Sequence, residues 1–187
     1  MNNRMPALAE HEWNDAQREL AQEIINGPRG ALLPPFEPLL RSPELMAHAQ
    51  RLGEYLRYRS AIGTRLSELA ILVTARHWGQ PVEWAIHAPI AAQQGIAQAA
   101  IDDINHDREP TDLQDDERLV WCFCRELHQT RRVSDETWQL AVAAFDEKGG
   151  MDLVGLNGYY AFLAMVMNAA QTPAPPSPAR LLPEGAL

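Results

Sequence analysis

The stretch RLSELAILVTARHWG, residues 65–79, constrains this chain more than any other. Wound at 3.6 residues per turn it is apolar almost all round. Such a helix has to be enclosed by other elements on most of its sides. Thr64 stands where a cap belongs, and Gly79 where the helix should stop. Within the apolar run sits Glu68, whose ionised carboxylate is costly in such a neighbourhood unless something pairs with it. Burial would raise its pKa and fit it for acid chemistry near neutral pH.

The rest of the chain supplies the enclosing elements. EWNDAQRELAQEII reads as a first helix, stopped by Asn26-Gly27-Pro28. GPRGALLPPFEPLLRS, rich in proline and glycine, reads as an ordered loop anchored by Leu32, Leu33 and Phe36. Ser42-Pro43-Glu44 then starts a helix that runs to about Arg59. Pro81 opens PVEWAIHAPIAAQQ, which Pro89 can bend and Gly95 closes. A short helix over 97–106 and an acid-led one over 113–130 follow. Ser134 caps a helix to about Lys148, Gly149-Gly150 punctuates, and residues 151–170 form a last, mostly apolar helix. There Gly155 and Gly158 offer close packing. No stretch alternates as a strand would, and no repeat is visible. The expectation is an all-α helical bundle with one domain over 12–171, between a flexible N-terminus (1–11) and a tail (172–187) whose five prolines keep it extended or disordered.

The chain's 187 residues suffice for one substantial core. A formal net charge of −9 argues against nucleic acid, whose phosphates need a basic surface. The N-terminus lacks an export-type apolar segment, and no uninterrupted apolar run approaches the roughly 20 residues that span a bilayer. The expected location is the cytoplasm, with no membrane partner. Cys122 and Cys124 are not in the CxxC spacing of a redox centre, and on a helix they point about 200° apart. They read as small buried apolar residues.

GQPVEWAIHAP, residues 79–89, carries Glu83 and His87 at i and i+4, neighbours on one helical face. A carboxylate beside an imidazole orients the ring and raises its basicity, which suits proton transfer. The same spacing is also common in plain structural contacts. A metal site is less favoured: Glu83, His87 and His77 are capable ligands, but no HExxH-like set appears, and Glu68 and His77 lie about 180° apart on their helix. No glycine-rich phosphate loop and no GxSxG elbow occur. Trp78, Trp84, Tyr159 and Tyr160 can line a pocket, although aromatics at helical spacing more often fill a core.

GEYLRYRSAIGTRLSELAILVTARHWGQPVEWAIHAPIAAQQGI, residues 53–96, resembles the carboxymuconolactone decarboxylase family, which shares the AhpD-like helical fold. GPRG, LLRSPEL, RRVSDETW and DLVGLNGYYAFLAMVMNA resemble longer members in the same order, so the likeness covers roughly 12–170. In the alkylhydroperoxidase version a glutamate is followed by two cysteines and a histidine. Counting from Glu68, the cysteine positions hold Gln80 and Glu83 and the histidine position holds His87. Thiol peroxidase chemistry therefore lacks its nucleophiles, although peroxiredoxin activity belongs to the family at large. The remaining pattern is similar to the decarboxylase version, which implies a cofactor-free lyase acting on a small cyclic carboxylate or lactone. On that resemblance His87 transfers the proton, Glu83 orients it and Glu68 is a second acid. Arg76 or Arg59 balances the substrate carboxylate, and Trp84, Trp78 and Tyr159 line the site. The alternatives are an AhpD-like peroxidase without its cysteine pair and a non-catalytic small-molecule binder. The resemblance also implies a homo-oligomer.

Overall fold

The computed structural model describes residues 3–183. After a 3-10 turn at Glu10–Glu12, eight α-helices follow: α1 (Asp15–Asn26), α2 (Phe36–Leu39), α3 (Pro43–Tyr58), α4 (Gly63–His77), α5 (Pro81–Gln93), α6 (Gln98–Asn105), α7 (Asp115–Thr130) and α8 (Asp135–Ala170). No strand occurs among the described residues. The class is all-α, as the periodicity requires.

α4 is the axis of the bundle. Every residue from Leu66 to Arg76 is buried, and α3, α5, α6, α7 and α8 all pack against it. Its start differs from expectation. Gly63, at φ +73°, begins the helix and no side chain caps it, so Thr64 lies inside the first turn. Its end is as read: Gly79, at φ +58°, takes the left-handed turn, while Gly79 N–H reaches Arg76 O (3.1 Å) and Gln80 N–H reaches Ala75 O (2.9 Å). Gln80 then caps α5, its side-chain oxygen accepting from Val82 N–H at 2.7 Å with Pro81 as the first helical residue. The turn is short, so α4 and α5 lie side by side.

The C-terminal region corrects the reading most. Hydrogen bonding runs through Gly149-Gly150, and the chain breaks instead at Asp146 (φ 62°, ψ 172°). The glycines serve close packing: a Cβ on Gly149 would sit 2.4 Å from Phe145 Cβ, and one on Gly150 would sit 3.1 Å from the Trp138 ring. Gly155 likewise admits Leu56 (3.0 Å), whereas Gly158 faces open space. α8 is long and apolar enough to span a membrane by composition alone, with a mean hydropathy of 1.3 over its best window. Half of that window is buried, and α8 packs on α3, α4 and α7 as a core helix does.

Both flanks are docked where they are described. Arg4 N–H bonds Ala170 O at 2.8 Å, and Arg41 donates to Pro6 O at 2.7 Å. The proline-rich segment is extended and runs along α5 and α6. Ser177 Oγ donates to Ala85 O (3.1 Å), Asn105 brackets Arg180 O and Leu182 N–H (2.9 Å each), and Arg76 Nη1 donates to Leu182 O (2.7 Å). Residues 184–187 of the expected tail lie outside the described residues.

Candidate active site

The α4–α5 hairpin brings Glu68 and His87 face to face. Glu68 Oε2 lies 2.6 Å from His87 Nδ1, and Glu83 Oε2, one turn before His87 on α5, lies 3.3 Å from Nε2. All three side chains are almost wholly enclosed: Glu68 is 1% exposed, Glu83 2% and His87 3%. The edge-on ring of Tyr160, with centroids 5.2 Å apart, closes another side of the imidazole. The two carboxylates hold the ring unequally. Glu68 makes the short contact and fixes the ring. Glu83 holds the second nitrogen more loosely, and its other oxygen, Oε1, is buried with no hydrogen-bond partner.

Two acceptors on the two ring nitrogens suit an imidazolium, which donates from both. Burial disfavours the charge on His87, but hydrogen bonds and charge from Glu68 and Glu83 outweigh it and lift the pKa to about 9. The imidazole is therefore a stored proton near neutral pH. Burial also pushes the Tyr160 phenol well up, helped by the Glu83 charge, so it stays protonated.

The other expected site residues scatter. Tyr159 sits next to this cluster, edge-on to Tyr160 at 5.3 Å, with its hydroxyl buried and unpartnered. Arg76 is not a ligand of the cluster: its guanidinium is engaged by the Leu182 carbonyl. Arg59 leans on Tyr55 and lies 3.9 Å from Glu54. Trp84 lines a groove shared with Ile101, Pro178 and Ala179, which none of the three cluster residues lines. Trp78 lies edge-on to His77 at the C-terminus of α4, and its carbonyl accepts from Asn168. His77 stacks on His128 of α7 (4.6 Å), on the side of α4 away from Glu68, as their spacing implies. No cluster of three or more His, Cys, Asp or Glu with metal-holding geometry occurs among the described residues. The residue that sequence reasoning missed is Arg29. Its guanidinium Nε and Nη2 are buried without a hydrogen-bond partner beside Tyr159. The GPRG motif that carries it was visible, but nothing in local spacing links it to a tyrosine on α8.

Gln80 and Glu83, at the positions where the resemblance puts cysteines, have other tasks. Gln80 caps α5 and donates to Asn168 Oδ1 at 2.8 Å, tying α5 to α8. The actual cysteines are free. Burial pushes Cys124 up to about 12 and raises Cys122 as well, so neither is a ready thiolate.

No known family pattern matches the chain, and no curated protein matches it. Among solved structures, the chain is similar to one described as an alkylhydroperoxidase AhpD core, an uncharacterized peroxidase-related protein from Ralstonia eutropha JMP134. The TM-score is 0.73 at 14% identity, over 92% of each chain. At that identity the likeness establishes the fold: this is an AhpD-like helical bundle.

Proposed function

We propose that this protein is a cofactor-free acid–base lyase of the carboxymuconolactone decarboxylase type, acting on a small cyclic carboxylic acid or lactone. The observation that carries the reading is the buried His87 ring held between Glu68 and Glu83, with Glu83 Oε1 left unpartnered. Such a group is a proton donor poised beside an acceptor that can relay it. In the reaction, the bond between the ring carbon and the substrate carboxylate breaks and CO₂ departs. The electron pair delocalises into the unsaturated lactone. His87 hands its Nε2 proton to Glu83 Oε2, the protonated carboxyl turns to give that same proton to the ring carbon and returns to carboxylate, and solvent restores the proton on His87. Glu68 keeps the ring oriented throughout. A donor with a pKa near 9 stays loaded across the neutral range.

The test is the ultraviolet loss of γ-carboxymuconolactone with wild type, His87→Ala and Glu83→Gln side by side. Turnover by wild type and none by the folded variants is expected. Near-normal turnover in a folded His87→Ala protein would sink the assignment, and no turnover in wild type would discard this substrate.

A second reading, a peroxidase-like protein, is favoured by the description of the structural neighbour. It needs a thiolate, which the raised thiols at Cys122 and Cys124 do not offer. Peroxide consumption with a thiol reductant is expected to be null. We also infer self-association. An apolar groove lined by Leu119, Cys122, Leu140, Ala143 and Ala144 lies between α7 and the first half of α8, and Leu140 is exposed. Light scattering that finds only monomer would refute it.

A further inference from the structure

Three elements meet above Gly53 on α3. The loop after α1 contributes Arg29, whose guanidinium lies over the Phe36 ring at 4.9 Å. α8 contributes Tyr159, only 3% exposed. Gly53 lets both side chains pack onto the α3 backbone: a Cβ there would stand 2.1 Å from Tyr159 Oη and 2.7 Å from Arg29 Nη2. Arg29 Nε, Arg29 Nη2 and Tyr159 Oη are all buried without an aligned hydrogen-bond partner, although Arg29 lies close enough to Tyr159 to oppose the rise in the phenol's pKa. Unpaired buried donors are costly, and a guanidinium cannot shed its charge to escape the cost. Nε and Nη2 form one edge of the guanidinium, with parallel N–H bonds spaced to match the two oxygens of a carboxylate.

The surroundings choose among ligands. Burial raises Tyr159 to about 12, with Arg29 opposing and Glu83 assisting, so the hydroxyl remains a donor. All three unpaired groups on this side donate. The unpaired acceptor, Glu83 Oε1, belongs to the proton-transfer cluster, close enough for its charge to act on both Tyr159 and Tyr160. A neutral carbonyl would accept from two donors at most and leave the guanidinium charge uncompensated. An anion with two coplanar oxygens uses all three.

The geometry points to a carboxylate-binding subsite formed by the Nε–Nη2 edge of Arg29 and the Tyr159 hydroxyl, which holds the substrate's anionic group and presents the adjoining carbon to Glu83. The part of this that concerns Glu83 rests on the lyase reading, while anion binding itself does not. Arg29, rather than Arg76 or Arg59, is then the residue that sets the preference for an acid over its neutral analogue. Gly53 supports the subsite, because any side chain there would displace Tyr159 and Arg29 from these positions.

Binding can be read without turnover. The full chain is titrated with acetate, benzoate and 5-oxo-2,5-dihydrofuran-2-acetate, each against its neutral amide, by calorimetry and thermal shift. At least one carboxylate is expected to bind and raise the melting temperature, with its amide silent. Arg29→Met and Arg29→Lys should weaken binding by about tenfold or more, the lysine because it loses the fork. Tyr159→Phe, which keeps the shape, should weaken it less. Circular dichroism checks that each variant is folded. A structural role alone would lower the melting temperature of Arg29→Met yet leave the carboxylate-induced shift intact, and that result overturns the subsite. So does the absence of binding by all three carboxylates, or equal binding by acid and amide. Arg29-dependent binding without lactone turnover would leave the subsite standing and defeat only the lyase. Turnover with an unchanged KM in Arg29→Met would do the reverse.

Discussion

His87 and His128 lie on opposite sides of α4 and carry opposite charge preferences. His87, on α5, meets a carboxylate at each nitrogen and is held at a pKa of about 9. His128, on α7, stacks on His77 and has Thr74 Oγ1 3.1 Å from its Nε2. Burial, then the neighbouring His77 and Arg125, push it down to about 4, with only the Asn157 side chain opposing. Burial acts in the same direction on both rings. The partners that α4 presents decide the outcome: Glu68 on one face, Thr74 and His77 on the other. A neutral histidine among hydroxyl and amide groups is a packing element. On the proposed lyase reading, a charged one among carboxylates, beside an unsatisfied oxygen, is a reservoir of protons.

The largest difference between the two sites should appear on removing the α4 partner. Glu68→Gln takes a charge from the buried pair and leaves the imidazolium half-compensated, with an expected loss of about 3 kcal/mol or more at pH 7. Thr74→Val removes a neutral hydrogen bond from His128 and should cost about 1–2 kcal/mol. Urea unfolding of the two variants makes the comparison. Equal losses would mean that charge does not distinguish the sites.

Local rules made part of this legible. The Glu83–His87 contact follows from i,i+4 geometry, and the separation of Glu68 from His77 follows from helical rotation. The opening of α5 at Pro81 and the termination of α4 at Gly79 were readable for the same reason, since each acts within a turn of its own position, whereas Asn14, placed inside the first helix by its sequence, caps it. The closeness of Glu68 to His87 was not in the spacing. It came from the family likeness and depends on how α4 packs against α5. The Asp146 break carries no strong signal, because a non-glycine residue at positive φ is uncommon. The glycine pair nearby drew the break to the wrong place, being used for contact with Phe145 and Trp138. Arg76 shares a helix with Glu68 and so looked suitable, but the returning C-terminal segment engages it. Arg29 was missed for the converse reason: its partners arrive from α3 and α8, far along the chain.

An intermediate effect is expected in the dependence of stability on pH. The folded pKa of His87 exceeds the ordinary value of about 6.5, so its stabilisation is complete below that pH and is lost as pH rises through about 9. The full loss is on the order of 3 kcal/mol. Urea midpoints measured from pH 6 to 9.5 should fall in wild type and much less in His87→Gln. Identical slopes would show that the ring is not charged in the folded protein.

The smallest effect belongs to His128 and has the opposite sign. Its folded pKa lies below the ordinary value, so between pH 6.5 and about 4 the unfolded chain binds a proton that the folded chain refuses. Stability from this group is present above pH 6.5 and lost as pH falls towards 4. Many carboxylates titrate over the same range, so the informative quantity is the difference between wild type and His128→Gln, which keeps a polar group for Thr74 but does not titrate. The variant should lose less stability than wild type on acidification and should match its slope above pH 7. His128 is only partly buried, and solvent screening keeps the difference well below that of His87. A larger acid effect at His128 than alkaline effect at His87 would reverse the ranking and assign the stronger electrostatic coupling to the histidine stack on the other face of α4.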